Sequence, residues 1–368
     1  DQNNDGFMDN PLAKQINVMN RYQYYDAEKG LVSFINFRYM NDKKQSGEVD
    51  FDPDRDRGAT NRWGSEINTQ RLDLATKVGY VFKDMPFQSI GFQNAFTLHN
   101  QNSYYGLNVY DIKQSSFYSN LIFNSIINNT KHKFATGINF AYDNYNEFVG
   151  LTDYGRVDNS VGTFFEYTYD NDDNFSLVLG GRVDNHNRLG TFVTPRLHLR
   201  YNPWEKSVLR FSAGRGKRAA NIFAENQSLF ASSRTFSILD TDGKIYGLNP
   251  EIAWNYGLSF NQKFQLFGRN GDAGFDLYRT DFQNQAVVDV MQSPQQVLFY
   301  NLKGKSYATS LQIEFNYELA NRFSLRSAYK YYDIQTQYLS GVYQRPLQAK
   351  HRFFGNLEYE TGRSESGS

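Results

Sequence analysis

The chain has 368 residues, a formal net charge of zero, no cysteine and a mean hydropathy of −0.65. The charge balance gives no electrostatic basis for a nucleic-acid partner, and the missing thiols exclude disulfide scaffolds and thiolate metal sites. No window approaches the roughly 18 apolar residues of a spanning helix, which leaves a large soluble all-β protein or a membrane barrel whose alternating strands average to polar.

The chain opens on DQNNDGFMD. Asp1, Asn3, Asp5 and Asp9 stand at the side-chain ligand positions of an EF-hand-type loop, Gly6 at its sharp turn and Phe7 where a carbonyl ligates. Leu12 replaces the bidentate glutamate. The loop therefore predicts weak structural Ca2+ binding, at roughly 0.1–1 mM, against the plain alternative of a polar loop that binds nothing.

Period-2 alternation then recurs along the whole chain. It predicts strands over residues 16–25, 31–40, 68–82, 87–100, 114–126, 132–144, 158–169, 174–184, 191–201 and 208–215. After an excursion of residues 217–252, further strands follow at 253–265, 272–282, 306–319, 322–334 and 349–361. The connections alternate between short turns, such as Asn202-Pro203-Trp204-Glu205, and long polar loops at 41–65, 101–113, 217–252, 283–305 and 335–348. About fifteen long antiparallel strands with short connections at one end and long ones at the other suit a transmembrane barrel, with short periplasmic turns and long outer loops. Tyrosines and tryptophans near strand ends, including Tyr24, Tyr80, Tyr142, Tyr169 and Trp254, suit interfacial girdles. By the same alternation residues 1–9 lie on the outer side.

Residues 193–225 carry a resemblance to the TonB-dependent outer-membrane receptors. Pro195-Arg196 runs through Tyr201-Asn202-Pro203. An alternating strand then leads to Gly214-Arg215-Gly216 and on to Asn221-Ile222-Phe223-Ala224-Glu225. Lys217 and Ala220 depart from the family's aromatic and proline at their positions. Downstream, Leu248-Asn249-Pro250-Glu251, then Asn255-Tyr256-Gly257, Phe275–Phe282 and Tyr300-Asn301 resemble the family's next strands. The likeness covers nearly the whole chain, and the Asp/Asn-rich opening and heavy Tyr/Asn usage are similar to Bacteroidetes-type members. It implies that residues 1–368 are one part of a single barrel domain of about twenty-two strands, without the plug and without the first and last strands. It further implies an outer-membrane location in a Gram-negative cell, contact with outer-membrane lipid, and a TonB complex reached through the plug segment.

No constellation supports catalysis. The histidines, His99, His132, His186, His198 and His351, fall in no metal-ligand pair and beside no nucleophile motif. The expected function is active transport: outer loops capture a scarce, bulky small-molecule ligand of metal-chelate, siderophore, haem or cobalamin type. The rival reading is a passive porin-type channel. Tyr104 and Tyr105 with Arg215, Arg218, Phe223, Phe230 and Phe236 are the ligand-loop candidates, because cations and aromatic faces together hold anionic chelates. Loop or plug packing is the competing role for them. Arg196, Arg200 and Arg210 are expected to face the lumen and pair with plug carboxylates.

Overall fold

The computed structural model of the chain describes residues 2–361. The alternating segments become a 17-stranded antiparallel sheet. Its first half is β1 (Leu12–Asp26), β2 (Leu31–Gly47), β3 (Gly64–Val81), β4 (Ser89–Tyr105), β5 (Asn108–Ile127) and β6 (Asn129–Val149). A one-turn helix α1 (Pro53–Asp56) lies between β2 and β3. After the short β7 (Thr152–Asp153) come β8 (Arg156–Asp170), β9 (Phe175–His186), β10 (Gly190–Tyr201) and β11 (Ser207–Arg218). The excursion that follows holds a 3-10 helix (Ala224–Ala231) and β12 (Thr235–Ile238) before β13 (Glu251–Leu266) and β14 (Arg269–Asn284). β15 (Ala286–Asp289) and β16 (Gln296–Asn301) precede β17 (Ser306–Ala320), β18 (Phe323–Tyr338), β19 (Gly341–Gln344) and β20 (His351–Tyr359).

Register assigns the two faces. Phe37, Leu74, Phe96, Phe117 and Tyr142 stand opposite one another in succession from β2 to β6. Leu199, Phe211, Leu258, Leu277, Leu311 and Tyr331 do the same from β10 to β18. One residue away, on the other face, run Arg38, Asp73, Thr97, Ser116 and Asp143. Thr97 donates to Asp73 at 2.7 Å, and Ser116 donates to Asp143. The apolar face is bare in mid-strand, with Val78 51%, Ile138 58% and Phe165 51% exposed. Such a wall, apolar apart from Thr76, Asn94 and Ser119 in one row, matches the lipid-facing band of a membrane barrel, and the hydrogen-bonded polar face matches its interior.

The strands run further outward than alternation predicts. The expected loop 101–113 shrinks to Gly106-Leu107, since β4 reaches Tyr105 and β5 starts at Asn108. Gly106 has φ +60°, the geometry a two-residue hairpin needs at its first central position, and the indole of Trp63 fills the space a side chain would take. The loop expected at 41–65 narrows to 48–63, and β18 and β19 form a hairpin inside the expected loop 335–348. These extensions carry Asn, Gln, Ser and Lys on both faces, so the apolar-polar period fades while the backbone ladder continues.

The buried core lies at the outer end rather than between sheets. Tyr105, Tyr110, Ile112, Ala220, Ile222, Phe223, Phe230, Leu248, Ala286, Val297 and Phe299 cluster there. Residues 219–250 and 285–305 thus fold together as a cap. β12, β15 and β16 form a small sheet within it, with β12 parallel to β16.

Candidate functional site

The cap packs on the inner face of the wall. Tyr110 and Ile112 share the face of Gln114 and Ser116, and Glu147 stands opposite Ile112. The excursion after β11 therefore turns in over the barrel mouth and lands on β4, β5 and β6. Gln227 of the 3-10 helix accepts from Gln101 at 3.1 Å and from Tyr105 at 3.2 Å. Asn108 donates to the carbonyls of Phe230 and Ser232 at 2.7 and 2.8 Å.

Phe223 is the hub. Its ring lies 4.9 Å from Tyr154, 5.5 Å from Tyr246, 5.6 Å from Phe299 and 5.8 Å from Phe236. Phe223 and Phe230 are each 1% exposed, and Phe236 sits 4.6 Å from Phe230. These three rings are packed in the cap core. Tyr105 joins them at 5.9 Å from Phe230, whereas Tyr104, one residue earlier, faces outward under Arg57, whose guanidinium lies 4.6 Å from its ring. The two adjacent tyrosines therefore serve opposite faces of one strand.

Arg218 is held by both glutamates of the family-like motifs. Glu225 takes its guanidinium bidentately at 2.9 and 2.8 Å, and Glu251 accepts from Nε at 2.7 Å. Glu251 also accepts from the amide of Ala286, and the amide of Asn249 donates to Asn301. The Leu-Asn-Pro-Glu segment is thus a staple between the two cap loops. Arg215 donates to Gln283 at 3.2 Å.

A buried ionic clamp fastens the cap. Glu147, fully buried, accepts from Tyr110 at 3.0 Å, from Arg156 at 3.0 Å, and from Tyr246. Arg156 also donates to Asp158 at 3.0 Å, to the Tyr246 hydroxyl at 2.8 Å and to Asn221. Its guanidinium lies over Tyr145 at 4.0 Å. Burial, reinforced by the Glu147 charge, pushes the Tyr110 and Tyr246 hydroxyls far above the usual phenol range. Burial pushes Tyr145 up to about 12. This clamp was not singled out from sequence, where Glu147 and Arg156 stand in a stretch that reads as an ordinary polar loop.

On the inner wall Arg196 pairs with Glu166. Arg200 and Arg210 stand directly opposite each other, and among the described residues neither makes an ion pair. They line an inner-wall cavity of about 570 Å³ with His198, Ser212 and Asp276. At the start of the chain Asp1 lies outside the described residues. Asp5 accepts from the Phe7 amide at 2.8 Å, and Asp9 accepts from the Gln2 amide at 2.7 Å. The backbone of the loop docks on Gly47 and Val49. Among the described residues no three acidic or imidazole side chains converge as a metal site would require.

Residues 3–365 match the family model described as TonB dependent receptor-like, beta-barrel. The chain belongs to that family. No protein of curated function is similar to it in sequence. Among solved structures, the hemophore receptor HasR of Serratia marcescens, in complex with its hemophore HasA and heme, is 12% identical with a TM-score of 0.64, over 94% of this chain and 59% of that one. FpvAI in complex with pyocin S2 is 12% identical with a TM-score of 0.67, over 96% and 54%. The alcaligin receptor FauA of Bordetella pertussis is 13% identical with a TM-score of 0.60, over 96% and 58%. The chain thus spans somewhat more than half of each of these receptors, which share its fold.

Proposed function

We propose that this chain forms the wall and outer cap of an outer-membrane receptor that captures a scarce, bulky ligand for TonB-energised import. The observation that carries the reading is a cap with its own aromatic core, clamped across the inner face of a barrel mouth. A mouth covered in this way serves recognition better than free diffusion, which weighs against the porin alternative. A metal chelate, siderophore, haem or cobalamin is the ligand class, and the receptors named above support it by kinship of fold. The buried Phe223 and Phe230 shape the cap, while Arg215 and Arg218 brace its root through Gln283, Glu225 and Glu251. Arg200 and Arg210, opposed and without ion pairs among the described residues, suit an acidic surface of a plug domain.

The test is uptake by cells carrying the intact receptor, offered ferric siderophores, haem and cobalamin, with and without functional TonB. Uptake of one class that disappears without TonB supports the reading. TonB-independent uptake, together with steady conductance of the purified receptor in planar bilayers, would replace it with the porin.

A further inference from the structure

One row of the outward face breaks the apolar pattern. Thr76, Asn94 and Ser119 stand side by side on β3, β4 and β5 in direct register. Ile35 and Phe140 close the row at its two ends. Val78, Phe92 and Leu121 border it on one side, and Leu74, Phe96 and Phe117 on the other. Beyond those rows, Tyr80 faces Ile90 and Leu72 faces Leu98. On β3 and β4 the polar island thus lies two rows inside either edge of the apolar band, roughly 10 Å deep on tilted strands. Its short side chains also form a recess between bulkier rows.

Hydrocarbon offers such groups nothing to bond, and leaving them bare there is costly. Thr136 and Thr163, elsewhere on the same face, turn their hydroxyls onto the carbonyls of Phe164 and Gly137 at 2.8 and 3.0 Å, which leaves a methyl group to face outward. Thr76, Asn94 and Ser119 have no such device: among the described residues their side chains make no hydrogen bond. All three are half-buried.

We infer that this island is the contact between two copies of the chain in the membrane. The inference rests on the outer-membrane reading above, which puts lipid against this face. Two copies in one bilayer are related by rotation about the membrane normal, and that rotation preserves depth. The island of one copy therefore meets the island of the other at the same level, whereas a foreign partner would have to bring its own polar group to that depth. The chemistry is self-complementary, as an isologous contact requires. A carboxamide donates and accepts at once, so two Asn94 side chains meeting at the two-fold axis bond each other, with the Thr76 and Ser119 hydroxyls beside them. The recess lets two walls approach closely, as small residues do between packed membrane helices. Strands tilted by roughly 40° in each wall cross where two barrels touch, which keeps the contact compact.

The test reconstitutes the intact receptor, labelled on an outer loop, into vesicles of neutral phospholipid. Copies per complex are counted by single-molecule photobleaching as the ratio of protein to lipid is varied. Native protein, Asn94→Leu, Asn94→Gln and Thr163→Val are compared, with the Tm of each showing that it is folded. The expected result is pairs in the native protein and a Kd for pairing about tenfold higher in Asn94→Leu. Asn94→Gln, which keeps the carboxamide, and Thr163→Val should pair as the native protein does. Pairing by Asn94→Leu equal to that of the native protein overturns the island as the contact. Single copies of the native protein at every ratio overturn the second copy as its occupant. Failure of the intact receptor to enter bilayers at all overturns the outer-membrane reading, a result distinct from insertion as single copies.

Discussion

At the scale of single residues, the strongest demand in the molecule is the burial of Glu147 and Arg156. Neither charge has water to lean on, so each depends on the other and on Tyr110, Tyr246, Asp158 and Asn221. Removing one member leaves an uncompensated buried charge, which costs about 3–5 kcal/mol, whereas replacing both with apolar groups often costs little. Arg156→Leu is therefore expected to raise amide hydrogen exchange across residues 219–250 while β13 and β14 keep their protection. Glu147→Leu added to Arg156→Leu should restore much of that protection. If the single and double variants exchange alike, the clamp does not hold the cap. Phe223→Ala tests the neighbouring core: loss of a buried phenyl costs about 3–5 kcal/mol, and the expected readout is new proteolytic cleavage confined to the same cap residues. Tyr104 and Tyr105 show the limit of reading such residues from sequence. Side-chain alternation implies that adjacent strand residues face opposite ways, yet the two stand together as ligand candidates only while their segment is read as a loop.

At the scale of elements, the cap behaves as a folded unit with its own pH response. Tyr145, Tyr110 and Tyr246 keep their protons longer in the folded state than as free phenols, because burial beside Glu147 and Asp143 disfavours phenolate. Their folded pKa values are raised, so above the ordinary phenol value of about 10 the folded cap binds more protons than the unfolded one, and stability falls as pH rises. The Tyr145 part is complete below about pH 10 and drains away as pH climbs through about 12, while the more strongly raised Tyr110 and Tyr246 go on losing theirs at higher pH. Hydrogen exchange or proteolysis of residues 219–250 should show the cap loosening in that window, with Tyr246→Phe shifting it. A cap equally protected at both ends of the window would contradict this. The wall strands were legible because alternation is strict where one face meets apolar surroundings and the other a polar interior. The cap was not legible, because its strands β12, β15 and β16 are short and follow no simple period of burial, and β12 finds its partner β16 only across some sixty residues of chain. The family-like motifs at Glu225 and Glu251 were visible in sequence, but their shared hold on Arg218 needs the fold to bring them together.

At the scale of the whole molecule, one boundary organises the outward surface. On β4, Ile90, Phe92, Phe96 and Leu98 face out below it with a single Asn94 among them, and Asn100 and Asn102 face out above it. β3 repeats the pattern with Leu74 and Leu72 below, Gln70 and Asn68 above. If lipid sets this boundary, the penalty for a cation must depend on depth along a single face of a single strand. Phe96→Arg is expected to destabilise the intact receptor folded into lipid vesicles by about 2–4 kcal/mol, and Asn100→Arg by about 0–1 kcal/mol. Both substitutions put the same side chain on the same strand and the same face, so propensity and chain entropy largely cancel between them. The difference, read from urea titrations of vesicle-folded protein, isolates the surroundings. Equal penalties at the two positions would mean that water, not lipid, covers the apolar rows, and the barrel would then have to hide them against another protein surface.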